Sequence, residues 1–173
     1  MSSLFLIEFT GSADPAALLK QLSEQATAND AEFIEAQVTA DSSRIFAILE
    51  APNGAAAGDA AAGLDAEASE PAEVRLVGAD LETIKAARPE AGYLVEWDIP
   101  AHIDMDTYLT RKAEKTPLYD EVPEVSFLRT YVREDMAKCL CFYDAPDSDA
   151  VVHAREVVST PVDRLHVLGR ISV

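Results

Sequence analysis

Residues 140–146 read LCFYDAP and residues 46–52 read FAILEAP, and this pair of stretches decides the predicted fold. Each has four apolar residues, one acidic residue and a closing Ala-Pro. The stretches lie 94 positions apart, and residues 127–132 match residues 33–38 at the same offset. Unrelated apolar segments rarely keep a common spacing, so the sequence predicts two copies of one unit within its 173 residues.

Each predicted copy has its elements in the same order. In the first copy, apolar alternation and turn residues predict strands at residues 4–9, 32–40, 44–50 and 72–77 and helices at 15–28 and 55–66. In the second copy, they predict strands at residues 93–98, 125–133, 138–143 and 164–172 and helices at 104–115 and 147–158. The order strand, helix, strand, strand, helix, strand is that of a ferredoxin-like domain.

This order predicts an α+β fold of tandem ferredoxin-like (βαββαβ) repeats, packed as a single-chain pseudo-dimer. The first domain is predicted at residues 1–80 and the second at residues 91–173, with a linker at 81–90 that contains a short helix at 81–88. Strands such as residues 4–9 carry apolar side chains on both faces, so we expect the open sheet faces to cover each other.

The composition excludes several classes of function. The formal net charge is −17 and the 14 Lys and Arg residues form no run, which argues against a nucleic-acid partner. No apolar stretch approaches the roughly 18 residues of a membrane-spanning helix, and the N-terminal segment lacks the basic start of a secretory signal. Two cysteines are too few for a disulfide framework. We therefore predict a soluble, cytoplasmic protein.

Several short motifs follow one another in the second copy: YLVE at residues 93–96, FLRTYV at 127–132, CFYDAPD at 141–147, VHAR at 152–155 and PVDR at 161–164. On these residues the second copy resembles a family of small ferredoxin-like proteins, largely of unknown function, that includes a nickel-binding protein. The first copy keeps the apolar pattern of this family but few of its polar residues, so we predict a degenerate copy. The resemblance implies a site for nickel or another divalent metal ion in the second copy alone.

Three residues of the second copy are the candidate metal ligands: His153, Cys141 and His102. His153 has an acidic residue one helical turn away on each side, and His102 precedes the acidic start of a predicted helix. Cys139 and Cys141 alternate on a predicted strand, so both thiols face the same side and offer soft ligands to nickel, copper or zinc. The alternative is that the cysteines only pack in the core and the histidines are solvated.

The candidate ligand-binding residues are Glu96, Arg129 and Tyr131. Arg129 and Tyr131 share one face of a predicted strand, and Glu96 lies on a neighbouring strand. A buried arginine needs a partner, so these residues form either a structural ion pair or a pocket for a small anion or polar ligand.

The sequence contains no HExxH motif, no Gly-rich phosphate loop and no nucleophile with a base at motif spacing. The first hypothesis is therefore a non-catalytic protein that binds a metal ion or a small ligand, with nickel favoured by the resemblance. The alternative is a cofactor-independent enzyme of oxygenase or isomerase type that uses a pocket between the paired sheets, with Arg129, Tyr131 and His153 as its polar groups. A third hypothesis is an interaction scaffold, and a homo-oligomer is compatible with all three.

Overall fold

The computed structural model describes residues 2–87 and 91–169. These residues form two compact units. The first contains residues 2–75, 80–87 and 168–169, and the second contains residues 76–79 and 91–167.

The first unit is an antiparallel sheet with helices. Its elements are β1 (Ser3–Thr10), α1 (Pro15–Ala28), β2 (Glu32–Thr39), β3 (Arg44–Ala51), α2 (Gly54–Ala61), β4 (Glu67–Ala68), the first residues of β5 (Ala72–Val77) and α3 (Leu81–Ala87). Strand β3 lies between β1 and β2 and pairs with β1 along its whole length. Strand β1 also pairs with β4 and β5. The helix-facing core is apolar and includes Phe9, Leu22 and Leu49.

The second unit is also built on antiparallel strands. Its elements are β6 (Tyr93–Asp98), α4 (Met105–Lys115), a 3-10 helix (Thr116–Glu121), β7 (Ser126–Arg133), β8 (Lys138–Asp144), α5 (Ser148–Val157) and most of β9 (Arg164–Gly169). Strand β8 lies between β6 and β7, and β6 lies between β8 and β9. The core of this unit lies between the strands and the helices and contains Val95, Cys141 and Val151.

Acidic and amide side chains begin four of the helices. The side-chain oxygens of Asp14, Asn53, Asp104 and Asp147 each accept a hydrogen bond from the backbone N–H three residues later. These bonds satisfy N–H groups that have no partner within the helix.

The prediction of tandem ferredoxin-like (βαββαβ) repeats packed as a single-chain pseudo-dimer is wrong. In that arrangement each copy completes its own sheet with its own last strand. Here β5 and β9 each contribute residues to both units. Within β9, Arg164 pairs with Glu96 of β6 in the second unit, whereas Leu168 pairs with Thr39 of β2 in the first. This pairing uses hydrogen-bonding groups that β2 would otherwise expose as an open edge.

Smaller differences concern the helices. The helix predicted at residues 55–66 ends earlier, at Ala61, and is followed by the two-residue strand β4. The 3-10 helix at Thr116–Glu121 was not predicted. Arg88 of the predicted linker helix and residues 170–172 of the predicted last strand lie outside the described residues. None of the helices within residues 2–87 and 91–169 is long and apolar enough to cross a membrane.

We expect one substitution, glycine to alanine, to have opposite effects at two positions. Gly78 has a φ of +86°, and an added Cβ would lie 3.1 Å from the ring of Phe127. Gly78→Ala should therefore lower the free energy of unfolding by about 1–2 kcal/mol. Gly58 lies inside α2, where a Cβ would make an ordinary 3.5 Å contact with Pro71. Gly58→Ala should raise the free energy of unfolding by about 0.5–1 kcal/mol.

Urea unfolding of both variants checks this expectation. Equal shifts of the two midpoints in the same direction would contradict the assigned backbone conformations.

Candidate functional site

Strand β8 places three reactive side chains on the helix-facing side of the second unit. It is hydrogen-bonded to β6 and to β7, and alternate residues of a strand point to the same face. Cys139, Cys141 and Tyr143 therefore lie together in the core beneath the helices. The predicted alternation of the two cysteines on one face is confirmed, since their Sγ atoms are 3.9 Å apart.

The two thiols are buried and differ in their surroundings. The Thr130 hydroxyl donates a hydrogen bond to Cys141 Sγ at 3.4 Å. A hydrogen bond from Cys139, together with the charges of Lys112 and Arg155, holds the pKa of Cys141 well below its usual value although burial opposes this shift. The pKa of Cys139 is raised, because its interaction with Cys141 and its burial both disfavour a second negative charge.

Arg155 lies on α5 and places a buried guanidinium in this core. Its Nη1 donates hydrogen bonds to the Tyr143 hydroxyl at 3.0 Å and to Cys141 Sγ at 3.5 Å, and its Nη2 donates to the Pro161 carbonyl at 2.8 Å. Its Nε is buried and has no hydrogen-bond partner within the described residues. No carboxylate of the described residues forms a salt bridge with Arg155.

Tyrosine hydroxyl groups complete the polar interior. The hydroxyls of Tyr119, from the 3-10 helix, and Tyr143 are 2.6 Å apart. Burial raises the pKa of Tyr143, Tyr119 and Tyr108, so all three remain neutral at physiological pH. The hydroxyls therefore act as hydrogen-bond donors and acceptors and supply no counter-charge for Arg155.

A pocket opens onto this interior. Its cavity volume is about 40 Å³, and its walls come from β6, α4, the 3-10 helix, β8 and α5 with the segment after it. Besides Cys141 and Arg155, the lining includes three cations of α4: Arg111, Lys112 and Lys115. The lining contains no Asp or Glu. Lys112 Nζ also lies 4.2 Å from the centre of the Phe127 ring, which fixes this cation beside an aromatic face.

Glu96 forms a second, separate cluster of charges in the same unit. Its fully buried carboxylate contacts Lys138 at 2.5 Å, Arg164 at 2.9 Å and His166 at 2.7 Å. Burial alone would raise the pKa of Glu96, but hydrogen bonds from Lys138, His166 and Arg164 outweigh it and lower the pKa to about 2. Arg164 also pairs with Asp98 at 2.6 Å. This carboxylate is already satisfied by its neighbours.

The other predicted ligand-binding residues, Arg129 and Tyr131, are buried on β7. The Arg129 guanidinium lies 4.7 Å from the centre of the Phe142 ring. Whether Glu96, Arg129 and Tyr131 bind a ligand stays a prediction.

The predicted metal ligands lie in different surroundings. His102 and His153 are exposed, whereas Cys141 is buried at the pocket. Across residues 2–87 and 91–169, no group of three or more His, Cys, Asp or Glu side chains is placed to hold a metal ion. The set His153, Cys141 and His102 remains a prediction, and the structure does not bring its members together as one such group.

Sequence reasoning missed the cations of the pocket. Two signals were available. Tyr108, Lys112 and Lys115 recur at helical spacing and lie on one face of α4. Arg155 falls within the apolar stripe formed by Val151, Ala154 and Val158, and a charged residue in such a stripe indicates a buried charge.

A family of known proteins matches the second unit. Residues 93–167 match the family model described as nickel responsive protein SCO4226-like. The matched residues contain the whole pocket and the predicted ligands His102, Cys141 and His153. Among curated proteins, none matches the chain. The resemblance to a nickel-related family is therefore confirmed for these residues, while the proposal that the first half is a degenerate copy is untested.

Two solved structures resemble the chain over nearly its whole length. A candidate chlorite dismutase has a TM-score of 0.55 at 13% identity, and the match covers 97% of this chain and 95% of that one. A candidate monooxygenase from Lactobacillus acidophilus has a TM-score of 0.55 at 9% identity, with coverage of 98% and 94%. At these identities the likeness indicates the fold alone. A fold shared with a chlorite dismutase-like protein is a second finding against the tandem pseudo-dimer.

The low pKa of Glu96 predicts how stability depends on pH. The pKa falls from an ordinary 4.5 to about 2 on folding, so the contribution to stability is complete above about pH 4.5 and is lost as the pH falls towards 2. Glu96→Gln should lower the free energy of unfolding at neutral pH by about 3 kcal/mol, because it removes the buried anion that Lys138 and Arg164 share. It should also flatten the stability profile between pH 5 and pH 2, which urea unfolding across this range measures.

Glu73→Gln is the matched control, since Glu73 is exposed on β5. A loss of stability in the control as large as that in Glu96→Gln would contradict the special role of the buried carboxylate.

Proposed function

We propose that this is a small-ligand-binding protein whose second unit binds a compact anion in the cation-lined pocket. The observation that carries the proposal is Arg155, whose side chain is 2% exposed and has no carboxylate partner within the described residues. Burying a guanidinium without a counter-charge costs free energy. Cys141 beside Arg155 can supply one negative charge, and an anion bound in the pocket adds to it and accepts hydrogen bonds from Arg155.

The charge balance of the pocket supports this proposal. Arg111, Lys112 and Lys115 also have no ion pair among the described residues, although the chain has 31 Asp and Glu residues against 14 Lys and Arg. Other basic residues pair with carboxylates, among them Arg44, Lys85, Arg133, Lys138 and Arg164. An ionised Cys141 offsets one of the four positive charges of the pocket, so an attraction for anions remains.

The size of the pocket limits the ligand. A cavity of about 40 Å³ holds about three water-sized groups, since each such group needs about 10–15 Å³ of cavity volume. A carboxylate group or a small inorganic oxyanion fits this volume. Trp97 and Tyr108 line the same pocket and provide apolar surface for a short hydrocarbon part of the ligand.

We expect calorimetric titration at constant ionic strength to detect binding of acetate or inorganic phosphate, which serve as probes. Lys112→Gln should weaken the binding about 10-fold, because a charge-assisted hydrogen bond contributes about 1.5–3 kcal/mol. Lys112 lies at the half-buried wall of the pocket, so this change should leave the fold intact.

Lys20→Gln changes the net charge by the same amount as Lys112→Gln, but Lys20 is at an exposed position of α1. It should leave the affinity within twofold of the original. Equal losses in both variants would indicate a general effect of net charge, and no binding of either probe would overturn the proposal for compact anions.

A second candidate function is nickel binding in the same unit, and the match of residues 93–167 to a nickel-responsive family favours it. His153 and His102 are exposed and accessible to an ion, while Cys141 lies at the pocket. The enzyme alternative has weaker support, because a likeness of fold to a candidate monooxygenase and a candidate chlorite dismutase carries no chemistry.

The nickel candidate predicts tight, selective binding of Ni²⁺ to tag-free protein. His153→Ala should weaken this binding at least about 10-fold, because neutral imidazole is a preferred ligand of nickel. Cys141→Ser tests whether the buried thiol takes part. Zinc and calcium are the control ions, and similar weak binding of all three would mean that the acidic surface attracts cations without a specific site.

A further inference from the structure

Neither proposed function explains why Cys139 and Cys141 lie next to each other in the core. They are the only cysteines of the chain, and both are 1% exposed. Cys141 lines the pocket, and Cys139 lies beside it with an Sγ–Sγ distance of 3.9 Å. Cysteine is often buried for packing alone, and the short distance between the two sulfurs does not by itself indicate a ligand.

The hydrogen-bond donors around Cys141 indicate more than packing. Arg155 contacts Cys141 Sγ through Nη1, lines the same pocket, and keeps its Nε buried without a hydrogen-bond partner in the described part of the chain. Thr130 donates a hydrogen bond to the same sulfur. The donors around Cys141 are thus arranged for a sulfur that carries negative charge.

The spacing of the sulfurs suits one metal ion. With metal–sulfur bonds of about 2.3 Å, an Sγ–Sγ separation of 3.9 Å corresponds to a sulfur–metal–sulfur angle of about 115°. Rotation of the two side chains widens this angle without movement of the strand. Both sulfurs can therefore bind one ion from their present positions on β8, and the Cys139 thiol releases its proton as its metal–sulfur bond forms.

We infer that Cys139 and Cys141 form a site for one soft, monovalent metal ion of low coordination number, of the copper(I) class. Thiolate ligands select copper(I), zinc and iron–sulfur clusters, and the two cysteines of the chain are too few for the four thiolates of such a cluster. No third His, Cys, Asp or Glu joins the pair within residues 2–87 and 91–169, so the four ligands that zinc prefers are not assembled there.

The charges favour a monovalent ion over a divalent one. Two thiolates with one monovalent cation have a net charge of −1, which the guanidinium of Arg155 balances. Two thiolates with a divalent cation are neutral and leave the buried Arg155 without a counter-charge. Lys112, on the wall of the same pocket, further favours the anionic complex.

This site goes beyond both proposed functions, although it shares Cys141 with the pocket and with the nickel candidate; Cys139 belongs to this site alone. The anion proposal depends on the cations of the pocket and is tested with Lys112→Gln. The nickel proposal depends on the exposed histidines and is tested with His153→Ala. Both variants keep the two thiols, so each proposal can fail without the others.

The test is an anaerobic titration of the reduced full chain with copper(I), in competition with a chromophoric copper(I) chelator. We expect one ion per chain and a thiolate-to-metal charge-transfer band in the ultraviolet. Cys139→Ala and Cys141→Ala should each weaken binding by at least about 100-fold, because a single thiolate is left at the site. Lys20→Gln, at an exposed position of α1, should bind as tightly as the original chain.

A second measurement needs no variant and guards against misfolding of the alanine forms. Copper(I) should protect both thiols of the original chain from alkylation, as mass spectrometry of the labelled protein reports, whereas nickel should not. Copper(I) that binds the folded alanine variants unchanged, or that leaves the thiols as reactive as before, overturns the inference.

Discussion

The pairing of β8 with strands on both of its edges is the constraint on which the second unit depends. Because β6 and β7 fix its register, its side chains cannot exchange faces without breaking two ladders at once. Cys139, Cys141 and Tyr143 are held towards the helices for this reason, while Leu140 and Phe142 point away. The pocket, the thiol pair and the contacts of Arg155 all follow from this alternation.

The buried charges of Glu96 and Arg155 have different kinds of partner. Glu96 contacts Lys138, Arg164 and His166 on neighbouring strands and is satisfied by these contacts. Arg155 has neutral hydroxyls, a carbonyl and a thiol around it, and its positive charge has no carboxylate partner among the described residues. The first arrangement stabilises the fold, whereas the second leaves an attraction for a ligand. The two charges are equally buried, so their partners distinguish the one that stabilises the fold from the one proposed to bind a ligand.

Local patterns in the sequence predicted the elements well, because strand alternation, helix caps and turn residues act over short distances. The common face of Cys139 and Cys141 follows from strand geometry, and the cap at Asp104 follows from the residues around it. Strand pairing between distant segments leaves no comparable local signal, so the division of β9 between two units was not predicted. The predicted domain boundaries and the internal repeat remain predictions.

The charge clusters of the second unit also depend on contacts between residues that are distant in the sequence. The surroundings of Glu96 depend on the registers of β6 with β8 and with β9, which bring Lys138 and Arg164 beside it from far along the chain. The position of Arg155 in an apolar stripe could be recognised in the sequence. That it has no carboxylate partner among the described residues is seen only in the folded chain. The pocket cations on α4 were hidden for a different reason, since a basic helix face is usually solvated.

The pairing of β2 with the end of β9 also sets an order of events during protein synthesis. Val38 pairs with Gly169, and Thr39 with Leu168, so about 130 residues separate the partners. At roughly 5–20 residues per second, a ribosome takes on the order of ten seconds to make the intervening chain. During that time the edge of β2 has no partner from β9 and is open to pairing with other nascent chains. The first unit is therefore most exposed to misassembly in the cell before residue 169 has emerged.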